Sequence, residues 1–340
     1  MRIAVDVMGG DHGCGVIIAG AQLALAEYAQ ITELWLVGKE ADIQAALTAC
    51  RCTDPRIRIH PASEVLTMED KPVEGLRRKK DCSILRTMDL VKDGQADAAI
   101  SPGNTGGLMA AATIRLRPLE CVERAAIATV LPSLEREFVM LDAGANAECK
   151  PIHLAQFAVM GSVYSREILG RDKPRVGILS NGTEEIKGNE LTREAMQLCR
   201  QLDNVNFIGY VEGHDLFEDH VEVVVTDGFV GNIVLKSCES LGKAIKHLLK
   251  RELTSNPVNH LGAMIAGGAL KNIKNRIDPD AYGGAPLLGL NGNVIKAHGS
   301  AKEFAIKNAI RVATEEVQHK ISQIIQQEVE HANHVLGATA

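Results

Sequence analysis

Short apolar runs rich in Val and Ile recur along the chain, each closing on Gly, Asn, Asp or Pro and each followed by a longer stretch with helical spacing. The clearest are RIAVDV (2–7), ELWLVG (33–38), RIRIHP (56–61), ADAAISPG (96–103), AAIATVLP (125–132), EFVMLDAG (137–144), RVGILSNG (175–182), VNFIGYVEG (205–213) and VEVVVTDG (221–228). Nearly continuous apolar strands alternating with helices predict a doubly wound α/β fold, a mostly parallel sheet covered on both faces. Between 144 and 174 the segment HLAQFAVMGSVYSREIL reads as a buried helix, and no Ser/Pro-rich linker interrupts it. One α/β domain over 1–340 is therefore expected rather than two.

Residues 233–277 differ in character. Val234, Cys238, Leu241, Ile245, Leu248 and Leu249 share one helical face, and after a TSNP break at 254–257 the spacing resumes with Leu261, Met264, Ile265, Leu270 and Ile273. A projecting amphipathic helical hairpin is predicted. It carries eight Lys and Arg against two Glu, in a chain whose net charge is −6, so basic character is concentrated here. The tip LGAMIAGGAL (261–270) has no charge. Such a hairpin packs against the core or a second subunit, rests at a membrane interface among anionic lipids, or does both.

Composition narrows the partners. Aromatic residues make up 3%, with Trp35 the one tryptophan, and the net charge is negative, which argues against nucleic acid. The eight cysteines show no CxxC pair and no matching His spacing, so reduced thiols are expected and a zinc site is not. The opening RIAVDV reads as a strand rather than a signal peptide, and no run of about eighteen apolar residues suggests a membrane span. A cytoplasmic chain, able to touch a bilayer from outside, is the expectation.

In an open parallel sheet ligands bind outside the carboxyl ends of the strands. Four segments at such ends share a composition: SPGNTGG (101–107), SNGTEEIKG (180–188), TDGFVGN (226–232) and KAHGSA (296–301), each leading into a helix. Glycine lets backbone approach a ligand, and each helix presents unsatisfied N–H groups and a positive dipole end, so an anion such as phosphate is the expected guest. Lys187, Lys296 and His298 lie among these loops. Gly and Asn at strand ends also serve as plain turn and cap residues. Walker, dinucleotide and GxSxG signatures are absent, which weakens readings that need a nucleoside triphosphate, NAD or an activated serine.

Two further segments are candidates. In DVMGGDHG (6–13), Asp6 and Asp11 are suited to hold a proton, a metal or a partner Lys and His12 to general acid/base work, while Asp11 is equally suited to cap a helix starting near Cys14. The run LRRKK (76–80) reads as a solvated face or as a steering surface for an acidic carrier.

Eight blocks, in order and spanning essentially the whole chain, resemble the bacterial phosphate acyltransferases of phospholipid synthesis: DVMGGDHG, TMEDKPVEGLRRKKDCSI (67–84), SPGNTGGLMA (101–110), LDAGAN (141–146), LSNGTEEIKGNEL (179–191), TDGFVGNIVLK (226–236), YGGAPLLGL (282–290) and VIKAHGS (294–300). Gly75 and Cys82 depart from the pattern, where Ala and Ser are expected. The resemblance implies a fold like that of phosphotransacetylases and isocitrate/isopropylmalate dehydrogenases, a homodimer, and no metal or organic cofactor. It implies transfer of a fatty acyl chain from acyl carrier protein to inorganic phosphate, the acyl phosphate passing to a membrane glycerol-3-phosphate acyltransferase. Under it Lys187, Asn232 and His298 are the expected catalytic residues. Ser101, Asn104, Thr105, Gly106, Gly107, Asn181, Thr183 and Ser300 are expected around phosphate, and Asp6, Arg77, Arg78, Lys271, Lys274 and Arg276 toward the substrate and its carrier. A short-chain phosphotransacetylase using acyl-CoA and a non-catalytic scaffold at the membrane surface remain as alternatives.

Overall fold

The computed structural model describes residues 1–67, 69–277 and 282–337. Its strands form two sheets. β1 (Arg2–Asp6), β2 (Glu33–Gly38), β3 (Ile57–Pro61), β4 (Ala98–Ser101), β5 (Ala126–Ile127), β11 (Ala285–Leu288) and β12 (Asn293–Lys296) build a seven-stranded sheet in the order β3-β2-β1-β4-β12-β11-β5. β6 (Thr129–Pro132), β7 (Glu137–Leu141), β8 (Arg175–Leu179), β9 (Asn206–Val211) and β10 (Val223–Val225) build a five-stranded one in the order β6-β7-β10-β8-β9. The run β3 to β12 is parallel, and so is β7 to β9. β11 runs antiparallel to both its neighbours, as does β6 to β7.

The strands are apolar on both faces because helices cover both. Val223, Val224 and Val225 of β10 are fully buried, as are Ile3, Ala4 and Val5 of β1. α1 (Cys14–Glu27), α2 (Glu40–Ala49) and α11 (Glu303–His319) close one face of the seven-stranded sheet. α6 (Pro151–Glu167), α7 (Glu190–Cys199) and α12 (Ile321–Val335) cover the five-stranded sheet, with α6 buried from His153 through Ser165. A third core lies between the sheets, where α4 (Ser83–Lys92) and α5 (Thr105–Arg115) meet Phe138, Met140, Val224 and Leu287.

The sheet order also locates a working edge. From β1 the chain steps outward to β2 and β3, then returns to place β4 on the other side of β1. The carboxyl ends of β1 and β4 therefore flank a topological switch point, where open α/β sheets bind ligands.

Three details differ from the sequence pattern. The run 125–132 is not one strand: it breaks at Ala128, whose N–H donates to Pro286, and passes from one sheet to the other. The β11–β12 hairpin has no clear signature in the sequence, because Gly283, Gly284, Pro286 and the Gly289–Gly292 turn conceal its short apolar pattern. The TDGFVGN segment is mostly helix, since α8 (Gly228–Leu253) starts well before residue 233. Proline and asparagine place the next boundary where the sequence does, with Asn256 capping α9 (Pro257–Ile265), whereas the Gly267–Gly268 pair separates off α10 (Gly267–Ile277). α9 has no buried residue, and Met264 and Ile265 are 63% and 81% exposed. No helix of the described residues is long and apolar enough to cross a membrane.

On α11 the buried Glu316 faces the core near Tyr164, and among the described residues its Oε1 has no hydrogen-bond partner. Burial, aided by Glu315, raises its pKa well above the usual carboxylate range. The folded state then holds a proton that the unfolded state releases, so this contribution is full below the unfolded pKa and is lost as pH rises through the folded one. Glu316→Met is expected to flatten that decline, which begins near the ordinary carboxylate pKa, and to raise stability at pH 8 by about 1–3 kcal/mol, measured by urea unfolding across pH.

Candidate active site

Asp6, Ser101 and Lys296 end three neighbouring parallel strands and lie in one row across the carboxyl edge of the seven-stranded sheet. Asp6 is 1% exposed: its Oδ2 accepts the Ser101 hydroxyl at 2.7 Å, its Oδ1 accepts the Met8 N–H at 3.1 Å, and Ser83 also bonds to it. Burial pushes the Asp6 carboxyl up, while these bonds and the charge of Lys296 oppose the shift. Lys296 Nζ donates to the Pro102 carbonyl at 3.3 Å and to that of Ala297. Its pKa falls to about 8 because burial disfavours the ammonium more than Asp11 and Asp6 stabilise it.

The loops that follow these strands touch. A Cβ on Gly9 would lie 2.6 Å from Gly103 Cα, so only glycine allows this approach, and the Asp11 N–H donates to the Gly299 carbonyl at 2.8 Å. Asp11 does not cap α1, whose start is formed by Gly13 at φ 78° without a side-chain cap, because the glycine turn carries Asp11 toward Gly299 instead. His298 and Ser300 hold one another, with the Ser300 N–H donating to Nδ1 at 3.2 Å and its Oγ 2.8 Å from the same nitrogen. Desolvation, with Lys236, Lys296 and Lys243, pulls the His298 pKa down against the pull of Glu239.

Asn104 caps α5, accepting the Gly107 N–H at 2.9 Å. Gly107 is covered by Leu66, while Thr105 and Gly106 face solvent. α3 (Pro72–Arg78) lies alongside, with Pro72 over Gly106 and with Arg77 and Arg78 exposed. The two departures from the family pattern find their places here. An alanine at 75 would put its Cβ 2.5 Å from Leu66, so Leu66 occupies that space, and buried Cys82 makes no cap while its neighbour Ser83 supplies the hydroxyl that reaches Asp6.

The opposite wall belongs to the five-stranded sheet. After β7, the buried Asp142 accepts five hydrogen bonds of 2.7–3.1 Å, from the N–H groups of Ile127, Gly144, Ala145 and Asn146 and from the Asn146 side chain. Burial pushes this carboxyl up and the donors oppose it. After β10, Asp227 caps α8 by accepting the Phe229 and Val230 N–H groups, each at 2.9 Å. Gly228 and Gly231 let α8 sit directly on the Asp142–Asn146 turn: a Cβ on Gly231 would fall 1.9 Å from the Asp142 carbonyl oxygen. These glycines serve helix packing, and Asn232 is a helical residue, exposed, with its side chain against Gly144. One turn further, Lys236 lies in electrostatic reach of Lys296 and His298, so α8 joins the carboxyl edges of both sheets.

Lys187 lies in the 180–188 loop after β8, next to β10 and therefore at the same sheet end as Asn232. The loop is held by Asn181 Oδ1, which accepts the Gly188 N–H at 2.9 Å, and the Lys187 chain crosses over Gly182. Thr183 is exposed. Lys271 and Arg276 are exposed on α10, and Arg276 lies in reach of Asp219, toward the amino end of β10 and away from the strand-end loops. The Lys274 side chain lies outside the described residues. The sequence marks Lys296 only as one of the cations among the anion loops and gives no task to Asp142 or Ser83; motif blocks contain all three, but burial and cross-sheet contact are not visible in a motif.

The profile of the family described as "Fatty acid synthesis protein" matches residues 1–324. The chain belongs to this family. Its relatives include a phosphate acyltransferase of Akkermansia muciniphila, 43% identical over 97% of the chain and 96% of that protein, and one of Citrifermentans bemidjiense, 47% identical over 93% and 89%. Members of such close identity over such length make this chain an acyltransferase of the phosphate acyltransferase family. Among solved structures it is similar to a phosphotransacetylase from Streptococcus pyogenes, with a TM-score of 0.66 over 93% of this chain and 94% of that one at 17% identity, which speaks for the shared fold. A branched-chain phosphotransacylase from Enterococcus faecalis gives 0.57 over 93% and 100% at 14% identity.

Because this acyltransferase seats α8 on bare glycine backbone, Gly231→Ala is expected to cost about 1–3 kcal/mol through overpacking against Asp142, read as a lowered urea midpoint at unchanged slope. An unchanged midpoint would mean that the helix start is not fixed by that contact.

Proposed function

We propose that the chain transfers a long-chain fatty acyl group from an acyl carrier protein thioester to inorganic phosphate, giving an acyl phosphate for phosphatidic acid synthesis. One observation carries the reading: in a phosphate acyltransferase family member, the start of α5 lies beside Lys296 and the His298 loop at the strand ends, with Lys236 of α8 in electrostatic reach, a setting of helix dipole and cations suited to a small anion.

A thioester is already activated, so phosphate needs only to be gathered, desolvated and aimed. A phosphate oxygen attacks the carbonyl carbon, the oxyanion forms and collapses, the C–S bond breaks, and the thiolate leaves to take a proton from solvent. No covalent enzyme intermediate is required. Lys187 and Asn232 are assigned to phosphate and to the developing oxyanion, with Asn104, Thr105 and Gly106 at the anion and His298 with Ser300 beside it. The exposed Arg77 and Arg78 next to α5, and the basic α8–α10 arm, suit an acidic carrier. The exposed apolar residues Leu241, Leu248, Leu261 and Met264 suit a second copy of the chain and a bilayer surface, near which the product would be passed to a membrane acyltransferase.

The direct test incubates purified protein with phosphate and either palmitoyl carrier protein or acetyl-CoA and measures free thiol and acyl phosphate. Phosphate-dependent release from the carrier thioester is expected; preference for acetyl-CoA would make it a short-chain phosphotransacetylase, and release from neither would leave a scaffold. Lys187→Ala and Asn232→Ala are each expected to lower turnover by more than about a hundredfold, the scale of removing one oxyanion donor. Near-normal turnover in both would remove the role assignment.

A further inference from the structure

Lys296 stands apart from the other cations of the strand-end edge. Lys236 is exposed and paired with Glu239 at 3.0 Å, whereas Lys296 is sunk between the Pro102 and Ala297 carbonyls in the row formed with Ser101 and Asp6. Its two acceptors belong to different loops. Pro102 leads directly through Gly103 and Asn104 into the first turn of α5, and Ala297 leads into His298 and Ser300. Main chain also holds that junction, through the Ala297 N–H to the Ser101 carbonyl at 3.0 Å, the Asp11 N–H to Gly299 and the close passage of Gly9 over Gly103, while Asp6 holds Ser101 from beneath.

We propose that Lys296 is a positioning residue, whose ammonium ties the loop entering α5 to the His298 loop and so holds the phosphate cradle in shape. The inference rests on the phosphate-acyl transfer proposed above. A charged donor between two carbonyls makes the stronger kind of hydrogen bond, and the acidic neighbours Asp6 beneath and Asp11 alongside keep the charge in place. Opposing them are the desolvation of the site and the charge of Lys236 on α8, with His298 the titratable group in its own loop. With its pKa near 8, Lys296 loses its charge and one donor within the range of an ordinary assay. The cradle should loosen as it does so.

The test measures steady-state kinetics from pH 6.5 to 9.5 for wild type, Lys296→Arg and Lys296→Met, together with the rise in thermal midpoint that inorganic phosphate gives each protein. In the wild type, kcat/KM for phosphate is expected to decline above about pH 8 with the KM for the acyl donor unchanged. Lys296→Arg, charged throughout, should carry that decline upward by more than about one pH unit. Lys296→Met should raise the phosphate KM by about tenfold or more at pH 7, abolish the alkaline decline and reduce the phosphate-dependent stabilisation. An alkaline limb identical in wild type and Lys296→Arg would overturn the proposal, as would a Lys296→Met protein that loses stability alone while keeping its phosphate KM. If Lys296→Met does not fold, the arginine profile decides. A wild type without phosphate-dependent thiol release would instead overturn the functional reading, leaving phosphate protection in the thermal measurement to judge Lys296 by itself.

Discussion

Asp142 ties the two sheets together. Its carboxylate follows β7 of one sheet, and among its donors is the N–H of Ile127 in β5 of the other; the return bond runs from the Ala143 N–H to the Ile127 carbonyl at 2.9 Å. The remaining donors curl residues 143–146 into a turn on which α8 begins. A buried carboxylate with fewer donors would be costly. The start of α8, and with it Asn232 and Lys236, inherits its position from this one acceptor.

Asp6 acts comparably on the other wall, at lower coordination. It fixes Ser101, which in turn accepts the Gly103 N–H, so the backbone entering α5 is held from beneath. The two carboxylates and Lys296 are thus framework for the strand-end edge, below the layer where Thr105, Gly106, Asn232 and His298 are exposed. This layering reconciles a net charge of −6 with the proposed anion site. Helix starts and a few cations act there locally.

The α8–α10 arm obeys a different constraint. Its helices expose apolar residues that a folded single chain leaves uncovered, yet basic residues punctuate the same surface. Capping residues are strong here, with Asp227 at α8 and Asn256 at α9, so local sequence sustains helices that have little core to lean on.

The sequence by itself determined most of the strands, the buried α6 and the parallel α/β class, and it pointed to the strand ends for the candidate site. Each of these follows from local periodicity, or from the rule that parallel sheets bind ligands at their carboxyl edge. It did not show that the chain divides its strands between two sheets, since Ala126–Ile127 and Thr129–Pro132 read as one apolar run and only their partners separate them. Nor did it show that glycines 228 and 231 seat a helix, because a missing Cβ looks the same in a sequence whether a ligand or a neighbouring backbone fills the space. The blocks containing Asp142, Ser83 and Lys296 were visible from the start. Their tasks were decided by burial and by partners distant in the chain, which only the assembled fold supplies.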